Sequence, residues 1–117
     1  MMDGQAIQQE RYYEGMLRML KEADKVNKIG YKFNEGALIE EFKQYIDSTY
    51  GQHYAKDKFQ ATEFIMDSGH GEGFCIGNIL KYSQRYGKKD GKNRNDLLKV
   101  IHYGIMALHN HDTTEKN

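Results

Sequence analysis

Lys81 and Arg85 stand one helical turn apart, with Asn78 a turn earlier, in the segment HGEGFCIGNILKYSQRYGKKDGKNRNDLLKVIHY at residues 70–103. Side chains at that spacing share one face of a helix. The basic turn Gly87-Lys88-Lys89-Asp90-Gly91 follows, and then a second helical stretch that opens with Asn95-Asp96 and carries Lys99. Cations gathered near a helix end and its turn suit an anionic ligand, above all a phosphate. A guanidinium clamps phosphate with two parallel hydrogen bonds, and an ammonium supplies a compact charge. Lys88 and Lys89 also complement the negative end of the helix dipole, although a pair of lysines in a turn is equally a solvated surface feature.

Phosphoryl chemistry requires hard oxygen ligands if Mg2+ takes part. Glu63 and Asp67 lie one turn apart, with Gln60 on the same face, and Asp96 is a further candidate. Against these roles, Asp96 is suited to capping a helix and Glu63 to pairing with Lys81 or Arg85. Just ahead of the Glu63 helix, a loop holds His53 and Tyr54: an imidazole that titrates near neutrality and a ring able to stack on a base. Tyr82 lies beside Lys81 at the boundary of core and site. No Walker loop is present, and Gly69-His70-Gly71-Glu72-Gly73 lacks the Gly-Lys-Ser/Thr ending and puts an acid where phosphate oxygens would sit. Cys75 falls within an apolar segment, as a small core residue rather than a nucleophile. His102, His109 and His111 lack the paired spacing of a zinc site.

Five helices are expected to position these residues. The first spans about 5–27, with Tyr13, Met16, Leu17, Leu20 and Ala23 as its apolar stripe. The second covers 37–50, packs through Leu38, Phe42, Tyr45 and Ile46, and ends at Gly51. A third covers 56–68, with Phe59, Phe64 and Ile65 making apolar contacts. The Gly-rich stretch 68–73 reads as flexible, and a fourth helix starts near Phe74 with Phe74, Ile76, Ile79 and Leu80 as apolar surface. The fifth covers 94–109, with Leu97, Leu98, Ile101, Gly104, Ile105 and Leu108 inward, and forms an antiparallel pair with the fourth. Gly77 and Gly104 are read as points of close approach, even facing one another. The organisation expected is a packing or oligomerisation region at 1–51, a binding core at 52–109 and a polar, frayed tail at 110–117.

Composition fits this all-α, small-bundle reading. The chain has 117 residues, no proline to break helices, and seventeen basic side chains against seventeen acidic ones. That balance provides no net field to draw in nucleic acid or a membrane surface. No stretch has the run of apolar residues a membrane helix needs, and the first ten residues do not read as a signal peptide. One cysteine excludes an internal disulfide framework and fits a reducing, cytoplasmic setting. So small a chain offers little enclosure for two nucleotides, so a homo-oligomer with a site shared between subunits is expected.

The pattern His53-Tyr54, Glu63-Phe64-Ile65, Cys75-Ile76-Gly77-Asn78, Lys81-Tyr82, Arg85-Tyr86-Gly87-Lys88-Lys89-Asp90 and Asp96-Leu97-Leu98-Lys99 with Tyr103 resembles a family of small tailed-bacteriophage proteins. The resemblance covers most of residues 52–104. Members of that family include kinases of deoxynucleoside monophosphates, notably dTMP and dGMP. The resemblance therefore implies phosphoryl transfer from ATP or another nucleoside triphosphate, with Mg2+, in the cytoplasm of an infected bacterial host. From the chemistry of this chain's own residues, Lys81, Arg85 and Glu63 are expected to be catalytic. His53, Tyr54, Asn78, Tyr82, Lys88 and Lys89 bind substrate, and Glu63, Asp67 and Asp96 hold the metal. There are two alternatives. One is a protein that binds or sequesters nucleotide without turnover, favoured by the missing Walker loop. The other is a small protein that modulates a host enzyme through its first helix and its nine tyrosines. Helical pyrophosphohydrolases gather denser Glu-x-x-Glu and Glu-x-x-Asp sets than this chain has, so that reading is minor.

Overall fold

The computed structural model describes residues 4–26, 29–52 and 55–115, with side-chain surroundings for 10–22, 29–52 and 56–115. The described residues are helical with connecting turns: α1 (Gly4–Val26), α2 (Glu35–Tyr50), α3 (Ala55–Asp67), α4 (Gly71–Arg85) and α5 (Arg94–Thr114). The chain divides into two units, Met1–Thr49 and Tyr50–Asn117.

In the first unit, α1 has the expected length, but Tyr13 and Leu17 of its apolar stripe are exposed, while Met16 and Leu20 are half-buried. Ala23 lies outside the residues with described side chains. Helix α2 starts two residues earlier than its apolar pattern implied, at Glu35. Asn34 adopts φ 60°, a left-handed conformation that asparagine tolerates, and its carbonyl accepts from the Leu38 N–H at 3.0 Å. The Phe33 N–H donates to Glu35 Oε1 at 2.7 Å, fixing the entry into the helix. The covered face is Ala37, Glu41, Phe42 and Thr49, so the expected stripe is rotated and Leu38 is exposed. Burial, and then the nearby Glu41 carboxylate, raises the Tyr12 phenol above its ordinary value.

The second unit opens with Tyr50 stacked on Phe59 of α3, ring centroids 4.4 Å apart. Phe64 does not join this packing; it is 75% exposed. Helix α3 ends in a Schellman motif. Gly69 is left-handed at φ 91°, the His70 N–H reaches the Ile65 carbonyl at 3.1 Å, and the Gly69 N–H reaches that of Met66 at 3.0 Å. The Gly-rich stretch expected to be a flexible loop is thus a helix stop followed at once by a helix start, because α4 begins at Gly71. A Cβ on Gly71 would collide with the Asn110 side chain and come within 3.0 Å of Met66 Cγ. Gly77 and Gly104, read as close-approach points, have nothing within 4 Å of a Cβ placed on either; Gly71 takes that role instead.

Helices α4 and α5 pack antiparallel across a turn with Gly87, Asp90 and Gly91 at positive φ (86°, 60° and 69°). Asn93, not Asp96, caps α5, its side chain accepting from the Asn95 N–H at 3.0 Å. The helix runs on to Thr114 rather than fraying at His109, and Asn110 is buried within it. Its rotation also differs from the sequence pattern. Leu97, Ile101, Ile105 and Leu108 are exposed, while Asp96 and Asn110 are buried and Tyr103 is half-buried between them. Tyr103 meets both Phe74 and Tyr82 of α4, and these ring contacts turn α5 so that the aliphatic stripe faces away. Cys75 is fully buried, and burial pushes its thiol up, away from nucleophilic use.

Candidate functional site: cations around a stacked tyrosine

Tyr82 stands on α4, half-buried, with its ring stacked on Tyr103 of α5 at 5.9 Å between centroids and 11° between planes. Phe74, two turns earlier on α4, meets Tyr103 edge-on at 5.9 Å and 77°. This ring packing holds Tyr82 in place. Around it lie three cations from both helices: Lys99 Nζ 4.9 Å from the ring centroid, Lys81 Nζ at 5.2 Å and the Arg85 guanidinium at 5.8 Å. Each such contact with an aromatic ring is worth roughly 0.5–1 kcal/mol at an exposed site. The ring therefore gathers the cations without neutralising them.

Among the described residues one carboxylate pairs with them. Asp96 Oδ1 lies 3.7 Å from Arg85 Nε, with the Asp96 side chain 4% exposed and that of Arg85 26%. At that distance the pair attracts without a hydrogen bond, and both Arg85 Nε and Asp96 Oδ2 are buried with no hydrogen-bond partner. Three cations against one acid leave two positive charges beside a held aromatic ring. A phosphate supplies acceptors that such ammonium and guanidinium groups bind strongly.

Of the site residues anticipated from sequence, Lys81, Tyr82, Arg85 and Asp96 are brought together here. Lys99, named with the cations of this segment, and Tyr103 complete the group. Asn78 is half-buried and turned to its own helix, its Nδ2 donating to the Phe74 carbonyl at 2.9 Å. Lys88 and Lys89 are exposed on the turn; Lys88 Nζ donates to Gln84 Oε1 at 3.2 Å, and both backbone N–H groups cap the Arg85 carbonyl. His53 and Tyr54 lie outside the described residues.

Glu63 and Asp67 are exposed on α3 and border a surface hollow with Met66, His109, Asn110 and Thr113. That hollow is at the Gly71–Asn110 end of the α4–α5 pair, whereas Arg85 and Asp96 mark the other end. From Gly71 to Arg85 the helix rises roughly 20 Å. The Glu63–Asp67 acids and the cations are thus separate features, and Glu63 does not pair with Lys81 or Arg85. Among the described residues no group of three or more His, Cys, Asp or Glu is placed to hold a metal ion.

His102, next to Tyr103, is half-buried. Burial, and then the positive Lys58 on α3, holds its imidazole below the ordinary 6.5. The fold therefore keeps His102 neutral where an unfolded chain would take up a proton. This contribution is absent at high pH, and it opposes folding once pH falls below about 6.5. Thermal unfolding followed from pH 7.5 to 5 is expected to show a loss of stability that a His102→Gln variant shows to a smaller degree.

No helix among the described residues is long and apolar enough to cross a membrane. No curated protein and no solved structure matches the chain. Lys81, Tyr82, Arg85, Asp96, Lys99 and Tyr103 all fall in the segment 48–104, which matches the model of a phage-associated family described as a protein of unknown function, DUF3310.

Proposed function

We propose that this chain binds a deoxynucleoside monophosphate, with its phosphate on Lys81, Arg85 and Lys99 beside Tyr82, and acts as a nucleotide kinase. The observation that carries the reading is the convergence of three cations from two helices on one held ring, opposed by one carboxylate. The resemblance to phage deoxynucleoside monophosphate kinases supplies the reaction, in the cytoplasm of an infected host. In it, an oxygen of the monophosphate attacks the γ-phosphorus of a nucleoside triphosphate. The bond from that phosphorus to the β,γ-bridging oxygen breaks, and two diphosphates leave. The cations spread over the two helices stabilise the charge on the transferring group and need form no covalent intermediate.

The residues beside the cations do not fit a protein-built Mg2+ site. Asp96 is turned to Arg85, and Glu63 and Asp67 sit at the far end of the helix pair. Mg2+ is accordingly part of the substrate, carried on the triphosphate. The distance of those acids from the cations also favours a second reading, a protein that holds nucleotide without turning it over.

Incubation of the purified protein with Mg2+, ATP and each deoxynucleoside monophosphate, resolved by ion-exchange chromatography, separates the two. Diphosphate is the expected product. Lys81→Ala and Lys99→Ala are each expected to lower kcat/KM by roughly 10–100-fold, the loss of one or two charge-assisted contacts. Saturable binding with no product would move the function to sequestration. Neither product nor binding would leave modulation of a host protein as the reading to pursue.

A further inference from the structure

We infer that the turn end of the α4–α5 pair is a docking surface for the phosphate backbone of double-stranded DNA. The balanced charge of the chain conceals a segregation. Residues 81–99 hold seven basic side chains and two acidic ones, and the rest of the chain holds ten and fifteen. Lys81, Lys88, Lys89, Lys92 and Arg94 are exposed, with Arg85 and Lys99 half-buried beside them. Exposed acids lie at the other end of the helix pair, where Glu63, Asp67, Glu72 and Glu115 border two hollows that share Asn110. The pair is therefore polarised over roughly 20 Å, and its field draws a polyanion to the turn end.

Size and shape select the occupant. The cations reach about 6–8 Å down each helix from the turn, to Lys81 and Lys99, and cross two helices whose axes pack roughly 8–10 Å apart. One phosphate group covers a fraction of that span. A duplex presents a charge every ~1.7 Å of its axis and meets the whole patch at once. The patch is convex, a turn between two helices, and the ring among its cations, Tyr82, is stacked on Tyr103. That shape suits backbone contacts rather than the base stacking a single strand requires. Residues 87–95, Gly-Lys-Lys-Asp-Gly-Lys-Asn-Arg-Asn, carry no apolar side chain to sink into a bilayer, and one polybasic signal without a second anchors weakly. Charged side chains are costly to bury without counter-charge, so folding leaves this surface in water, unlike an apolar face. The inference stands apart from the nucleotide reading, since Lys88, Lys89 and Lys92 lie outside the proposed phosphate site.

Fluorescence anisotropy of a labelled DNA duplex titrated with the full chain, from about 25 to about 200 mM NaCl, tests it. Saturable binding is expected, with log K falling against log salt at a slope of about −4, as for the exposed cations of the patch. Lys88→Gln/Lys89→Gln/Lys92→Gln should bind roughly tenfold or more weakly, with a slope shallower by about 3. Lys89→Gln alone, at an exposed position, should make the slope shallower by about 1, which reads the same contact without the triple change. Lys32→Gln/Lys43→Gln/Lys56→Gln removes the same charge from exposed positions elsewhere and is expected to keep the wild-type slope. No binding at the lowest salt, an equal loss in both triple variants, or tighter binding to the single strand or to phosphatidylserine vesicles would overturn the inference.

Discussion

Arg85→Ala is expected to lose nucleotide affinity and fold stability together, and the two losses come apart in a double variant. Arg85 is the cation that faces both Tyr82 and Asp96. Its removal takes one arm from the phosphate site and leaves the Asp96 carboxylate buried without its counter-charge. Breaking a buried pair costs about 3–5 kcal/mol, and the partial exposure of Arg85 and the 3.7 Å separation place the cost near or below the lower end. Arg85→Ala with Asp96→Asn removes the stranded charge. Urea denaturation should show most of the lost stability restored, while affinity for a monophosphate stays down by roughly 10–100-fold, as expected for a lost charge-assisted contact. Full recovery of binding in the double variant would make Arg85 a structural residue only.

Gly71→Val should be the most damaging single change among the small residues of the second unit. Even one carbon at Gly71 meets the Asn110 side chain, with Asn110 Cγ at 2.8 Å and Met66 Cγ at 3.0 Å. Asn110 is buried where α4 and α5 meet, so the branched side chain must displace it or push the helices apart, at a cost of about 1–3 kcal/mol. Shortening Asn110 to Ala in the same chain vacates the space and should return much of the loss. Gly77→Ala supplies the contrast. It sits in the interior of α4 with nothing near its Cβ, and should gain about 0.5–1 kcal/mol from helix propensity. Chemical denaturation of the four proteins checks the set, and equal destabilisation by Gly71→Val with and without Asn110→Ala would show that the contact is not the cause.

The helices were legible because apolar residues recur at spacings of three and four, and Lys81 with Arg85 was legible for the same reason. The rotation of α5 was not. Leu97, Ile101, Ile105 and Leu108 make the most apolar stripe on that helix, yet the contacts of Tyr103 with Phe74 and Tyr82, and the burial of Asp96 and Asn110, turn the neighbouring face inward. A periodicity identifies a face without saying which neighbour wins it. Lys99 joins the site for a reason available only once the pairing of α4 and α5 is known. Arg85 faces Asp96, so three residues inward on each helix Tyr82 faces Lys99. Glu63 and Asp67 were placed on a common face of α3, as their spacing dictates. Their distance from the cations follows from where the Schellman turn at Gly69 docks the end of α3, beside Gly71 and Asn110. A run of glycines that looked like loop became that turn and the first turn of α4, since the backbone bonds to Ile65 and Met66 leave no slack between the helices.

Lys81, Arg85 and Lys99 around Tyr82 form the proposed site for the phosphate of a nucleotide. Isothermal titration of dTMP and of thymidine into the wild-type chain and into the Lys81→Ala/Lys99→Ala variant tests it most directly. The wild type is expected to bind dTMP at least tenfold more tightly than thymidine, about 1.4 kcal/mol or more, and the variant to abolish the difference. A preference for dTMP that survives in the variant would contradict it.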